Sequence, residues 1–225
     1  LNKRPKMSIF SKFLAAIALV SLTHNAHADT VSTRNGGDTF FSGGLISQSI
    51  DTKGDTFVAA RSARVKGSGL GDMHVSGFDV TVDVDVAEDL YAMGATVVIR
   101  GTVAEDLSVM AFSAHTDSNS QTAGNARLMG NSVTVEGPGA GAVSVMGRDV
   151  ILNASIDGDV RVLAQSISFG PDAVIAGTLT YSSAEKINVP ARVVAPERVT
   201  FEKVSGGQMS EAWQEEAKAI PAEQT

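Results

Sequence analysis

The sequence predicts an all-β protein: a single three-sided parallel β-helix of eight to nine coils, each 17 to 19 residues long. Three observations predict it. Turn-like pairs recur at Gly37, Gly54, Gly71, Glu88, Glu105, Gly124, Gly141, Gly158 and Gly177, at intervals of 17 residues except for two of 19. A period that short is too small for helix-pair repeats and fits a solenoid with one coil per repeat. Within each coil, apolar or small residues alternate with polar ones, which is strand periodicity. The chain also holds 22 glycines and few aromatic residues, a composition suited to many tight turns in one domain.

The first segment, residues 1–28, reads as a secretory signal. Lys3, Arg4, Lys6 and Lys12 precede the apolar run Phe13 to Leu22, and Ala26-His27-Ala28 leads into Asp29. The run is about ten residues long, too short to span a bilayer as a helix, and small residues at the first and third places before a cut suit a signal peptidase. The expected cleavage therefore lies between Ala28 and Asp29, with Ala26 as the other recognition residue; an uncleaved N-terminal anchor is the alternative. Met7 is a candidate start, since Met7 to Lys12 already supplies a basic region. Export places the protein in the periplasm or outside the cell. No later stretch is apolar and long enough to cross a membrane as a helix. The absence of cysteine removes disulfides, a thiol nucleophile and cysteine metal ligands. Without the four basic residues ahead of Asp29, 14 basic side chains face 25 acidic ones, a formal charge of -11 in place of -7. Such a surface repels phosphate backbones and anionic lipid, so no nucleic-acid partner is expected.

Residues 29–36 read as a linker, and residues 37–203 as the β-helix. Counting each coil from its turn-like pair, inward residues fall at positions 3, 5 and 7, then 10 and 12, then 14 and 16, as in Leu90, Ala92, Gly94, Val97, Ile99, Gly101 and Val103. The skipped step between 7 and 10 marks a corner. Position 7 is always small: Gly43, Ala60, Gly77, Gly94, Ala111, Gly130, Gly147, Ala164 and Ser183. A column without bulk predicts an inner corner where backbones crowd. The two longer coils must bulge at a corner, within His115 to Ala123 and Gly170 to Ala173. After Tyr181 the repeat decays, with Val199 to Phe201 as a last strand. In the tail, residues 204–225, Ser210 caps a short amphipathic helix that sets Ala212, Trp213, Ala217 and Ile220 on one face.

Stacking turns each repeat position into a column with its own chemistry. Position 2 holds Asp38, Asp55, Asp72, Asp89, Asp106, Asn125 and Asp159, interrupted by Ala142. Asp and Asn favour turns by bonding their own backbone, which explains the column without a ligand. Stacked carboxylates gathering a divalent cation such as calcium are the alternative, but the spacing of calcium-binding solenoid repeats is missing. Position 6 holds Met93, Met110, Met129, Met146 and Leu163, between inward positions 5 and 7. These side chains should point outward as an apolar stripe about 20 Å long. Either a partner surface adapts to the flexible methionines, or the chain's own tail lays Trp213 and Ile220 along them. Downstream of Asp29 only His74 and His115 occur, at non-equivalent positions and in no nucleophile or metal spacing, so both read as surface or loop residues. Gly137 to Gly141 lacks the Lys-Ser/Thr and helix of a phosphate-binding loop. No catalytic, cofactor-binding or metal site is expected.

The runs Val97 to Val103, Ala154 to Val160 and Ala176 to Tyr181 resemble the bactofilins, the polymer-forming cytoskeletal proteins of bacteria. The resemblance spans residues 37 to 203. It implies a right-handed three-sided β-helix that polymerises end to end without nucleotide, close to the cell envelope. Bactofilins are cytoplasmic, so the export signal marks this chain as an exported variant. The expected function is a non-enzymatic scaffold of the bacterial envelope that assembles with itself through the rod's ends or its apolar side stripe, with an envelope protein or cell-wall component as a further partner. An adhesin-like or polysaccharide-contacting rod is the alternative, although few aromatics leave few stacking platforms for sugars. A hexapeptide-repeat acyltransferase is third, disfavoured by the uneven subperiod.

Overall fold

A computed structural model of the chain describes residues 30–204. Fifteen strands follow one another: β1 (Val31–Asn35), β2 (Asp38–Thr52), β3 (Thr56–Gly69), β4 (Met73–Val86), β5 (Leu90–Ile99), β6 (Thr102–Val103), β7 (Leu107–Thr116), β8 (Gln121–Thr122), β9 (Ala126–Val135), β10 (Val143–Leu152), β11 (Ser155–Ile156), β12 (Val160–Phe169), β13 (Val174–Ile175), β14 (Leu179–Ser183) and β15 (Val199–Lys203). All pairings except β1 with β2 are parallel, and the order along the main ladder is β1-β2-β3-β4-β5-β7-β9-β10-β12-β14-β15. Ten parallel rungs therefore stack on the first side, one beyond the nine repeat starts because β15 adds a last strand. At about 4.8 Å per rung the rod is about 45 Å long.

The register reproduces the sequence period. Leu90 pairs with Leu107, 17 residues on, and Leu107 pairs with Ala126, 19 residues on. Val143 pairs with Val160 at 17, and Val160 with Leu179 at 19. Each long strand bends at position 8, which the pairing skips: Gly77 meets Gly94 and Asp79 meets Thr96, with Phe78 and Ala95 unpaired between them. The third side is a narrow ladder through Val86, Val103, Thr122, Gly139, Ile156 and Ile175. The predicted inward columns are the core. Val143, Val145, Gly147, Val150, Leu152, Ala154 and Ile156 of one coil are all buried, and the buried apolar residues form one continuous cluster from Ile46 to Val194.

At the glycines of position 7 the coil below leaves little room for a side chain. A Cβ on Gly77 would sit 2.4 Å from the Ala60 carbonyl oxygen, and one on Gly130 would sit 2.4 Å from that of Ala111. Both extra residue pairs bulge at one corner, between the second and third sides. Asp117 to Ser120 form a turn held by the Ser120 N–H on the Asp117 carbonyl (2.8 Å), and Gly170 to Ala173 form the other.

The ends differ from the bare edges that a simple stack predicts. Residues 31–35, expected to be part of a linker, form β1 and pair antiparallel with the first coil. Gly36 and Gly37, with φ of +66° and +109°, make the two-residue hairpin turn that requires left-handed backbone. At the other end the chain crosses the core after β14, burying Val193 and Val194 and packing Ile187 and Val189 on it. Arg192 donates to the carbonyls of Gly170 (2.9 Å) and Pro171 (3.0 Å), and Arg198 to those of Ala176 and Gly177. Guanidinium groups thus occupy carbonyls of the last full coil on which another coil would stack. Pro190 and Pro196, in the same crossing segment, have no N–H to offer a new strand. The predicted tail helix with Trp213 and Ile220, and the cleavage residues Ala26, Ala28 and Asp29, lie outside the described residues. Within them the helical content is one 3-10 turn, Pro196–Arg198.

Replacing Gly130 with Val should lower stability by about 1–3 kcal/mol, the usual cost of overpacking. Gly44→Val is the matched control, because nothing lies within 4 Å of its Cβ direction. Urea melts of the two variants against the parent check this; equal midpoints would contradict the crowded-corner account.

Candidate interaction surface

Parallel stacking carries every outward side chain onto its equivalent one rung away, so the surface is organised in columns too. Column 2 is a line of stitches. The N–H of Asp55 donates to Asp38 Oδ1 (3.3 Å), that of Asp72 to Asp55 (3.1 Å), that of Asp89 to Asp72 (3.0 Å), that of Asp106 to Asp89 (2.8 Å) and that of Asn125 to Asp106 (2.7 Å). Asn125 Oδ1 then accepts from Ala142, and Asp159 Oδ1 accepts from Thr178. The acceptors serve the next coil's backbone, not their own turn as expected. Ala142 supplies no acceptor, so the line has a missing stitch there.

These stitches set the local electrostatics. Burial works to raise the pKa of Asp106, but hydrogen bonds from the Asn125 N–H and from Arg127 outweigh it and hold the carboxyl below its usual range. The N–H and hydroxyl of Thr178 lower Asp159. The Asn119 N–H, with its amide and Arg100, lowers Asp117. Glu88 is pushed the other way, by desolvation first and then by Asp72, Glu105, Asp55 and Asp89. Oxygens of Asp55, Asp72 and Glu88 come within 4.8 Å of one another. Asp55 and Asp72 each commit one oxygen to a stitch, so the row is accounted for by coil-to-coil bonding.

Column 6 runs in register through β5, β7, β9, β10 and β12 as Met93, Met110, Met129, Met146 and Leu163. Register sets these five residues in one column, between the inward columns 5 and 7. The column is not uniformly open: four members are half-buried, and Met146 keeps only 5% of its surface. Its flanks change along the rod. Beside the first half lie Phe78 and Phe112 in column 8, 62% and 67% exposed, with Ala95 between them. Beside the second half lie Arg127 and Arg161 in column 4 and Arg148 in column 8.

Two further features escaped the sequence reading. Column 4 opens with Phe40, Phe57, His74 and Tyr91, whose rings stack at 4.9, 4.7 and 4.8 Å between centroids and within 8° of parallel. His74 is thus a surface residue of β4, stacked as an aromatic rung, and not in a loop; the Tyr91 hydroxyl donates to Asp89 (2.8 Å). The rings cover one another's faces, so the ladder leaves mostly edges for a sugar to meet. His115, in β7, pairs its Nε2 with Glu136 of the next coil at 2.9 Å. The second feature is an open hollow of about 430 Å³ lined by Ser118, Glu136, Pro138, Asn153, Ala154, Ser155 and Asp172. It exists because the bulges after β7 and β12 flank two coils that lack them. No family model, curated protein or solved structure matches this chain.

Two outcomes follow from the stitches. Ala142→Asn restores the missing acceptor for the Asp159 N–H and should raise stability by about 1 kcal/mol, read as a higher urea midpoint. The depressed pKa values of Asp106, Asp117 and Asp159 mean that their stabilisation is full at neutral pH and is lost as pH falls below about 4 through the folded values. Glu88 acts with the opposite sign, since protonation relieves its repulsion. Urea midpoints measured from pH 7 to 2.5 should hold steady or rise slightly, then fall below about pH 4; a continuous rise to pH 3 would contradict the assignment.

Proposed function

We propose that this protein is a non-enzymatic structural rod of the bacterial envelope that assembles side by side with copies of itself. The observation that carries the reading is the exposed apolar surface midway along the rod, Phe78 and Phe112 beside Met93 and Met110. Large exposed aromatic side chains in one contiguous patch are unusual on a lone protein and typical of a contact surface. Phe78 and Phe112 are two rungs apart, about 10 Å, with Ala95 leaving a gap between them. A two-fold pairing centred on Ala95 sets Phe78 of one copy beside Phe112 of the other on both sides of the axis, as isologous contacts do. The resemblance to bactofilins supports self-assembly, and the apparent signal supports an extracytoplasmic site. End-to-end growth is the weaker variant, because β1 lies antiparallel across the first coil and Arg192, Arg198 and two prolines occupy the other end.

The excess of acidic residues makes copies repel one another, and added salt screens that repulsion. Sedimentation velocity of the mature chain should show association that grows with concentration and with ionic strength. Phe78→Asp combined with Phe112→Asp should hold the chain monomeric without lowering its melting temperature, since both side chains are mostly exposed. A parent monomeric at every concentration and salt, or a double variant that associates as the parent does, would overturn the reading.

A further inference from the structure

The geometry points to Met93, Met110 and Met129 as a site for a soft monovalent cation, Cu(I), held by thioether sulfurs. The site is complete within one chain, so it does not rest on side-by-side assembly. The first observation is where the sequence places its methionines. The continuous core cluster contains a single methionine, Met73. Column 6 has four in succession, Met93, Met110, Met129 and Met146, before Leu163. Leu163 shows that a branched aliphatic side chain fits the column, so apolarity by itself does not call for methionine there.

What methionine adds is sulfur. Its thioether is polarizable, and soft sulfur ligands select Cu(I), whereas magnesium, calcium and manganese take oxygen. The chain has no cysteine, so thioethers are its only sulfur ligands. Register then sets their spacing. Met93 pairs with Met110 and Met110 with Met129, which puts successive Cα atoms about 4.8 Å apart. With metal–sulfur bonds of about 2.3 Å, two sulfurs on opposite sides of an ion lie about 4.6 Å apart, close to the rung spacing. A third sulfur closes a triangle at separations of about 4 Å from the same bond length. Met93 and Met129 are two rungs apart, so each sulfur leans about 3 Å toward Met110. A side chain with three rotatable bonds accommodates that shift.

The surroundings favour the first three members. Met93, Met110 and Met129 are half-buried, open to an entering ion yet partly shielded from water. Met146 keeps 5% of its surface, and the next rung is sulfur-free Leu163. Beside Met93 and Met110 stand the uncharged Tyr91, Ala95, Ser108 and Phe112. Arg127, next to Met129, is paired with Asp106 at 2.9 Å, which offsets its charge. The chain's formal charge of -7 draws cations to the rod.

Ag(I), which shares the preference for sulfur and needs no reductant, is the probe. Silver nitrate is titrated into the chain from Asp29 onward, in chloride-free buffer and at concentrations where it is monomeric. Native mass spectrometry should show one bound ion that persists in excess Mg(II) and is displaced by ascorbate-reduced Cu(I). With 13C-methyl methionine, the Met93, Met110 and Met129 resonances should shift while that of buried Met73 stays in place. Met110→Leu with Met129→Leu nearly conserves side-chain volume and should leave the melting temperature unchanged. The same pair should weaken Ag(I) binding about 100-fold or more, since losing ligands costs at least as much as losing the groups that support them. Equal affinity in the leucine pair would overturn the assignment. So would loss of Ag(I) to Mg(II), bound Ag(I) that Cu(I) leaves in place, methyl shifts no larger at Met110 than at Met73, or binding confined to associated species.

Discussion

The constraint on which the structure depends is coil-to-coil registry. Because each backbone bonds to the one a rung away, a residue meets its own equivalent 17 or 19 positions on. One choice of residue type, repeated at that period, becomes a continuous physical object. Val, Ile and Leu become a core column, Gly and Ala an inner corner, and Asp an array of acceptors for N–H groups at the turns. The same rule acts outward, where methionines make a ridge and rings make a stack. Extra residues are tolerated only where the chain already turns, and both extra pairs are placed at the same corner. There they cost little registry and raise the walls of an open hollow.

Much of this was legible in the sequence because registry is periodic and the sequence is periodic with it. The interval of 17, the two intervals of 19, the inward positions and the small column at Gly77, Gly94 and Gly130 could all be read from spacing alone. Other features were hidden for identifiable reasons. The aromatic ladder spans three residue types, so Phe40, Phe57, His74 and Tyr91 did not stand out as one column although they share position 4. Asp106 was recognisable as a turn residue, but the direction of its bond, across to Asn125, depends on the stacked coil. Val199 to Phe201 was legible as a last strand, but what covers the ends was not, because it breaks the period. β1 reverses direction through a two-glycine turn, and Arg192 and Arg198 reach the carbonyls of Gly170, Pro171, Ala176 and Gly177, 21 or 22 residues earlier, distances that no repeat predicts.

Ends and sides therefore play different roles. A solenoid is by construction open at both ends, and an undressed end is a template for another strand. Here a short antiparallel strand, two guanidinium groups and two prolines stand where continuation would begin. The side is dressed differently, with exposed phenylalanines on one half of the apolar ridge and arginines on the other. The two halves of the ridge therefore offer different chemistry to whatever meets them.

Electron microscopy of the purified chain from Asp29 onward, over a range of concentrations, tests the central claim most directly, because the direction of assembly is visible. Side-by-side contact predicts pairs and short rafts whose rods are each about 45 Å long. Filaments one rod wide that lengthen with concentration would contradict it.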